Sequence, residues 1–264
     1  MTAFFAILLA LIQGLTEFLP VSSSGHLSLA QALFGKFGVS GFDDTDFFYN
    51  ILLHGGTLIA VCVYYRKDVA NLFLHPNRNG KLWLMGIAAC LPLVAVPLFD
   101  LDDYVKVVSS STLAIGILLI FTGIMLKISD AAISYGKTER EAKWYDPFVI
   151  GIAQLIAVLP GISRSGATIS AGLLRGFTRE FATKFSFLLS IPTILAGLAL
   201  ETKDALESGT FTFQAVYVPG IIVAAVSGYC AVMFVNRVMK RGRFGGFAVY
   251  CFSAGIFGVI LSFI

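Results

Sequence analysis

Two short polar segments interrupt the apolar runs of this sequence, and both contain side chains suited to phosphate chemistry. The first, residues 13–26, contains Glu17 and His26, and the second, residues 160–168, contains Arg164. A guanidinium offers a fork of N–H donors that suits phosphate better than a halide. Each serine-rich turn opens a helix, whose N-terminus presents free N–H groups and a partial positive charge. Two such helix ends beside one guanidinium predict an anion site.

The first segment also predicts how a bound phosphate would be cleaved. Ser23 and His26, spaced i, i+3, would meet on one helix face and supply a hydroxyl nucleophile and a base, or His26 would itself attack. Gln13 and Glu17, spaced i, i+4, could hold Mg²⁺ or Ca²⁺ through oxygen atoms, or Glu17 could orient or deprotonate a neighbour. These residues predict phosphoryl transfer to water and leave the nucleophile open.

The composition indicates a lipid bilayer as the solvent of this chain. Its 264 residues are 57% hydrophobic and only 13% charged, about half the charged fraction of ~25% that is usual for soluble domains. The mean hydropathy is +0.83. These values exclude a water-soluble globular enzyme, a disordered chain and a nucleic-acid binder. The four cysteines are scattered singly without metal-ligand spacing, so they are interpreted as apolar filling.

Six stretches are apolar over about the 20 residues that a membrane crossing needs. They are residues 47–65, 82–99, 111–128, 182–200, 214–235 and 245–264. His54 lies alone in the first of them and is interpreted as a packing histidine. Two shorter apolar runs, 3–12 and 148–159, lead into the polar segments, and runs 27–34 and 167–174 follow. A broken backbone is tolerated in a membrane only where protein or a wet cavity surrounds it. The sequence therefore predicts an all-α integral membrane protein with six full transmembrane helices and two re-entrant helix hairpins.

The two predicted hairpins resemble each other and indicate an internal repeat. A shift of 141 residues places Gln13 on Gln154, Ser22 on Ser163, Ser24 on Ser165 and Gly25 on Gly166. Three spans follow each hairpin, and three is odd, so the second copy would enter the membrane from the opposite face. We expect one membrane domain, residues 1–264, with inverted repeats at about 1–130 and 145–264, and with the hairpin tips meeting near the midplane.

The distribution of basic residues predicts the orientation. Fifteen of the 19 lysines and arginines belong to the loops of one side, 66–81, 127–147, 175–184 and 236–244. The positive-inside rule places that side in the cytoplasm and both termini outside. The first hairpin would then open to the outer face, whereas Arg164 would enter from the cytoplasmic face. An ionisable group at membrane depth costs at least ~2.5 kcal/mol, so Glu17, His26 and Arg164 are predicted to be functional.

Two motifs make this sequence similar to a known family. An (E/Q)xxxE helix at Gln13–Glu17 precedes a PVSSxGH turn at Pro20–His26, and a PGxSRSxxT segment follows at Pro160–Thr168. In this order they resemble the undecaprenyl-diphosphate phosphatase family (UppP/BacA type) of bacterial inner membranes. The span pattern between the motifs also fits, so the resemblance covers nearly the whole chain.

The resemblance implies hydrolysis of undecaprenyl diphosphate to undecaprenyl phosphate and inorganic phosphate, which recycles the lipid carrier for peptidoglycan and related glycans. It also implies dependence on Mg²⁺ or Ca²⁺, bacitracin resistance, a lipid diphosphate and the bilayer as partners, and a mouth on the outer face. The implied catalytic positions are Glu17, Ser23, His26 and Arg164. The implied diphosphate-binding positions are Ser22, Gly25, Ser163, Ser165 and Thr168. Gln13 and Gly166, a glycine that lets the backbone approach a ligand, are also predicted to bind substrate. Glu17 is the expected metal ligand, although Gln13, where many members have Glu, weakens a two-carboxylate site.

Three alternatives stay open at this point. Inverted repeats with broken helices are also a transporter architecture, so a polyprenyl-phosphate flippase is the competing function. The serines at positions 22, 24 and 165 could simply cap helices. A homodimer is left open as the assembly.

Overall fold

Helices account for nearly all regular structure in the computed structural model, which describes residues 3–37, 46–132, 135–207, 215, 217–242 and 244–264. Those residues contain no β-strand, only one isolated bridge between Lys137 and Phe177. The thirteen α-helices described are α1 Ala3–Phe18, α2 Ser23–Lys36, α3 Asp46–Tyr64, α4 Arg66–Leu74, α5 Gly80–Cys90, α6 Ala95–Leu98, α7 Leu101–Ser109, α8 Thr112–Asp130, α9 Tyr145–Ile156, α10 Arg164–Leu174, α11 Arg179–Glu207, α12 Tyr217–Lys240 and α13 Gly245–Leu261.

Four helical segments are long and apolar enough to cross a membrane. They are Gly80–Leu98, in which a short 3-10 turn joins α5 to α6, then α8, Arg179–Asp204 of α11, and α12. Their positions agree with the predicted spans 82–99, 111–128, 182–200 and 214–235, although residues 214 and 216 lie outside the described residues. The remaining two predicted spans, 47–65 and 245–264, coincide with α3 and α13. Their apolar lengths are shorter, so a full crossing by these two helices stays a prediction.

The surface of α8 illustrates why these helices need an apolar solvent. Ile117, Phe121 and Ile124, spaced by three or four residues, are about half exposed on one face. Leu119 and Leu126 are fully buried on the other face. Because the exposed face is as apolar as the buried one, water would disfavour it and lipid would not. The protein is therefore a multi-pass integral membrane protein.

Both interrupted segments fold as two packed helices joined by a turn, α1 with α2 and α9 with α10. The first helix of the chain continues beyond the predicted residue 12 and ends at Phe18. It ends there because Leu19 precedes Pro20, and a residue before proline is disfavoured in a helix. Glu17 thus belongs to the last helical turn of α1, on the same helix as Gln13, as their i, i+4 spacing predicted.

Helix α1 is held against α12 by an unusually close approach. A Cβ atom added to Gly14 would lie 1.9 Å from the Ser227 Oγ atom and 2.6 Å from the Ala224 carbonyl oxygen. Small residues at such crossings let membrane helices pack backbone to backbone. This contact fixes α1 one turn before Glu17 and so fixes the height of the carboxylate.

Candidate active site

The turn between α1 and α2 is shaped by Ser22, whose backbone has a φ of 69°. This left-handed conformation is strained for a serine. The Ser22 hydroxyl caps α2 by accepting the N–H of Gly25 at 3.3 Å, and it also accepts the N–H of Gly161 at 3.1 Å. One serine side chain therefore joins the two turns, although Gly161 is 139 residues further along the chain.

The second turn is shaped by Gly161, whose φ of 102° favours glycine. A Cβ atom there would lie 2.9 Å from the carbonyl oxygen of Ile115 and 2.8 Å from the Cβ atom of Leu118. Thr122 on the same helix, α8, donates its hydroxyl to the Gly161 carbonyl at 2.9 Å and accepts the Ser163 N–H at 3.3 Å. Helix α8 thus supports the turn that begins α10.

An ion pair joins the two hairpins. Arg164, the first residue of α10, donates one guanidinium N–H to the Oε1 atom of Glu17 and another to the Thr193 hydroxyl at 2.9 Å. The Oε2 atom of Glu17 accepts the Gln13 amide at 2.9 Å and the Ser23 hydroxyl at 2.7 Å. Glu17 is only 7% exposed, and a buried carboxylate needs such partners. The geometry therefore brings a hydroxyl, a carboxylate and a cation together.

These groups face a cavity of about 220 Å³. It is lined on the hairpin side by Glu17, Ser22, Ser23, Ser24, Ser163 and Arg164, and on the α3 and α11 side by His54, Thr193, Gly197 and Glu201 among others. The cavity lies at the N-termini of both α2 and α10, whose first backbone N–H groups have no partner within their own helix. It has the donors, the positive charge and the room to receive a phosphate group.

Comparison with known proteins identifies the family of this chain. A model of the family described as bacitracin resistance protein BacA matches residues 6–257. The chain belongs to the BacA family. Three curated relatives of similar length are each named undecaprenyl-diphosphatase. They come from Halothermothrix orenii (36% identical, 99% of each chain covered), Alkaliphilus metalliredigens (37%, 99% of each) and Carboxydothermus hydrogenoformans (38%, covering 99% of this chain and 98% of that one).

Not every residue expected from the BacA-type motifs reaches the cavity, and His26 is the clearest departure. Its Nδ1 atom lies 2.8 Å from the Ser22 carbonyl oxygen, and its Nε2 atom lies 2.8 Å from the Tyr250 hydroxyl. The two rings are also stacked, with centroids 5.5 Å apart. The imidazole does not line the cavity, so the predicted contact between Ser23 and His26 is replaced by one between Ser23 and Glu17. A catalytic role for His26 stays a prediction.

His54, interpreted from the sequence as a packing residue, instead lines the cavity. Its Nε2 atom lies 3.8 Å from the Oε2 atom of Glu17, and its side chain is 34% exposed. Its position as the single histidine in an otherwise uncharged apolar run was noted from the sequence, but that pattern does not distinguish a packing histidine from one that lines a site. Thr122 and Thr193 were also missed, because a lone threonine in an apolar helix carries no distinctive pattern.

Several predicted substrate-binding residues pack behind the cavity and do not line it. The hydroxyls of Ser165 and Thr168 are buried and bonded to Leu19 and Ser186. A Cβ atom on Gly25 would lie 3.0 Å from the Cα atom of Gly161, which explains the glycine by turn-to-turn packing. The remaining members of this group are Gly166, which packs on the capping Ser163, and Gln13, which is fully buried behind Glu17. Of the predicted group, Ser22 and Ser163 line the cavity.

Glu17 and Gln13 are the two residues that the sequence suggests as holding a divalent cation. Both carboxylate oxygens of Glu17 already accept hydrogen bonds, whereas the buried Oε1 atom of Gln13 has no hydrogen-bond partner. Within the described residues, no three His, Cys, Asp or Glu side chains come together as ion ligands. Mg²⁺ often takes most of its ligands from waters and substrate phosphates. These residues therefore fit a divalent cation only when phosphate oxygens complete its shell.

Proposed function

We propose that this chain hydrolyses undecaprenyl diphosphate to undecaprenyl phosphate and inorganic phosphate. It thereby recycles the lipid carrier of cell-wall glycan synthesis. The observation that carries the proposal is the cavity in which Ser23 and Arg164 both bind Glu17. The name undecaprenyl-diphosphatase, given to full-length relatives, supports the same reaction.

Ser23 is the proposed nucleophile. Its hydroxyl donates to Glu17 at 2.7 Å, which leaves the oxygen lone pairs of Ser23 available for attack. The Oγ atom attacks the terminal phosphorus, the bond to the bridging oxygen breaks, and the lipid monophosphate leaves. The hydroxyl proton passes to the Oε2 atom of Glu17, which accepts the hydrogen bond beforehand.

Arg164 and the two helix N-termini are the proposed phosphate binders. Among the described residues, Glu17 and Thr193 accept two of the five guanidinium N–H donors, and the N–H groups that begin α2 and α10 add further donors. Donors fixed before the substrate arrives stabilise the charge that develops on the transferred group without reorganisation. The same donors bind both the substrate and the phosphoryl group during transfer.

A divalent cation is proposed to bind with the diphosphate, mainly through phosphate oxygens. When bound, Mg²⁺ or Ca²⁺ neutralises part of the substrate's negative charge. We expect a chelator to abolish activity, and added Mg²⁺ or Ca²⁺ to restore it. Full activity of extensively chelated protein would contradict this requirement.

The proposed placement is the bacterial inner membrane, with six full crossings, two re-entrant hairpins and both termini outside. Fifteen basic residues on one side support this orientation, although Arg243 among them lies outside the described residues. The cavity would then open to the outer face. The equivalent caps of α2 and α10 support the inverted repeat, and a homodimer stays a prediction.

A lipid flippase is the competing function, and the attacking group argues against it. A flippase needs the anion cradle of Arg164 but has no use for a hydroxyl held on a carboxylate. The test is purified protein in detergent with a polyprenyl diphosphate, measuring inorganic phosphate. Release of phosphate at a rate proportional to enzyme supports hydrolysis. Lipid translocation in vesicles without phosphate release would favour the flippase.

A further inference from the structure

His54 is the imidazole that reaches the cavity from outside both motifs. It projects from α3, and its Nε2 atom lies 3.8 Å from the Oε2 atom of Glu17. Ser23 donates its hydroxyl to that same oxygen at 2.7 Å. The nucleophile and the imidazole therefore stand beside one carboxylate oxygen at the wall of one cavity.

The hydrogen bonding of His54 fixes which of its nitrogens can accept a proton. Its Nδ1 atom lies 2.9 Å from the carbonyl oxygen of Asn50. A carbonyl oxygen only accepts hydrogen bonds, so in the neutral ring Nδ1 carries the hydrogen and Nε2 carries the lone pair. The distance from Nε2 to Glu17 is too long for a direct hydrogen bond and leaves the lone pair open to the cavity.

The imidazole of His26, which belongs to the first motif, is arranged differently. Its Nδ1 atom must also carry the hydrogen, because it faces the Ser22 carbonyl. Its Nε2 lone pair then accepts the Tyr250 hydroxyl at 2.8 Å. His26 thus has both nitrogens engaged outside the cavity, whereas His54 presents a basic nitrogen to it.

We infer that His54 activates the water that hydrolyses phosphorylated Ser23. This inference rests on the proposed function. The water oxygen bonds to phosphorus while the bond from phosphorus to the Ser23 Oγ atom breaks. One water proton passes to the His54 Nε2 atom, and Glu17 returns its proton to Oγ. Inorganic phosphate leaves, and His54 then releases its proton to solvent.

The test tracks the phosphoryl group on the full-length protein in detergent. Polyprenyl diphosphate carrying ³²P on its terminal phosphate is mixed with each variant, the reaction is stopped with acid, and protein-bound label is counted. For His54→Gln we expect a burst of lipid monophosphate, nearly one label per chain at Ser23, and phosphate release slowed by about 10²-fold or more. The kcat/KM should stay within a few-fold of wild type, and KM should fall together with kcat, because the slowed step follows the release of lipid monophosphate.

Matched histidine variants separate catalysis from a general effect. His75→Gln, an exposed residue after α4, should behave as wild type, and His26→Gln should not accumulate label. In His54→Ala, added imidazole should speed the loss of label, a rescue that a purely structural role would not show. The inference is overturned if His54→Gln stays unlabelled, if imidazole has no effect, or if label accumulates in His26→Gln instead. Wild-type protein that releases no phosphate would contradict the proposed function itself.

Discussion

The two helix hairpins bring the same kind of serine-capped helix end to the cavity, but they differ in the backbone of the capping serine and in the residue after it. In each, a serine caps the second helix by accepting a glycine N–H, at 3.3 Å for Ser22 and at 3.1 Å for Ser163. The next residue is Ser23 in the first hairpin and Arg164 in the second. Both line the cavity and both bind Glu17, for which the second hairpin has no acidic counterpart.

This difference separates binding from bond cleavage. A capped helix N-terminus is an anion receptor by itself, and the two hairpins supply one each. In both hairpins the residue after the cap lines the cavity. In the first hairpin this residue is Ser23, which supplies the attacking oxygen, and in the second it is Arg164, which supplies a cation. Substitutions at equivalent positions should therefore have unequal and different effects.

The largest expected effect is at the reacting position of the first hairpin. Ser23→Ala should lower kcat by about 10³-fold or more, because the attacking oxygen is removed. Ser24→Ala is the matched control in the same turn and should lower kcat less than about tenfold. Steady-state phosphate release measures both. A near-normal rate in Ser23→Ala would mean that another group attacks.

At the equivalent position of the second hairpin, Arg164→Lys should lower kcat/KM by about 10²-fold. Lysine keeps the positive charge, but its single ammonium group cannot bind Glu17, Thr193 and a phosphate at once as the planar guanidinium can. In contrast to Ser23→Ala, this variant should still form a phosphorylated protein, only more slowly. Equal losses in Arg164→Lys and Arg164→Gln would show that charge alone matters less than this geometry.

A smaller effect should separate the two glutamines that the repeat aligns. Gln13 donates to Glu17 at 2.9 Å, whereas Gln154 donates to the Ala89 carbonyl at 3.3 Å, away from the cavity. Gln13→Leu should lower kcat by about tenfold because Glu17 loses a hydrogen bond. Gln154→Leu should change kcat less than about threefold. Similar losses in both would indicate a packing effect.

Much of this architecture could be predicted because its causes are local. Apolar length predicted the four long helices, and turn chemistry predicted that Ser22 and Ser163 begin helices. The cost of placing a charge at membrane depth predicted that Glu17 and Arg164 are functional, but not that they pair with each other. In each case a few neighbouring residues contain the necessary information.

The remainder depended on how helices pack, which spacing does not encode. His26 faces Tyr250 because α2 turns that side away from the cavity. His54 and Thr193 reach the cavity from helices α3 and α11, which share no motif with the hairpins. A site assembled from five separate helices is visible only once their crossings are known.

The ion pair between Glu17 and Arg164 spans 147 residues of chain. At a synthesis rate of about 5–20 residues per second, the carboxylate emerges roughly 7–30 s before its partner. The first half of the nascent protein therefore enters the membrane with Glu17 unpaired with Arg164 and without the N-terminus of α10 beside it. The site is therefore complete only late in biogenesis, when α10 inserts and Arg164 reaches Glu17.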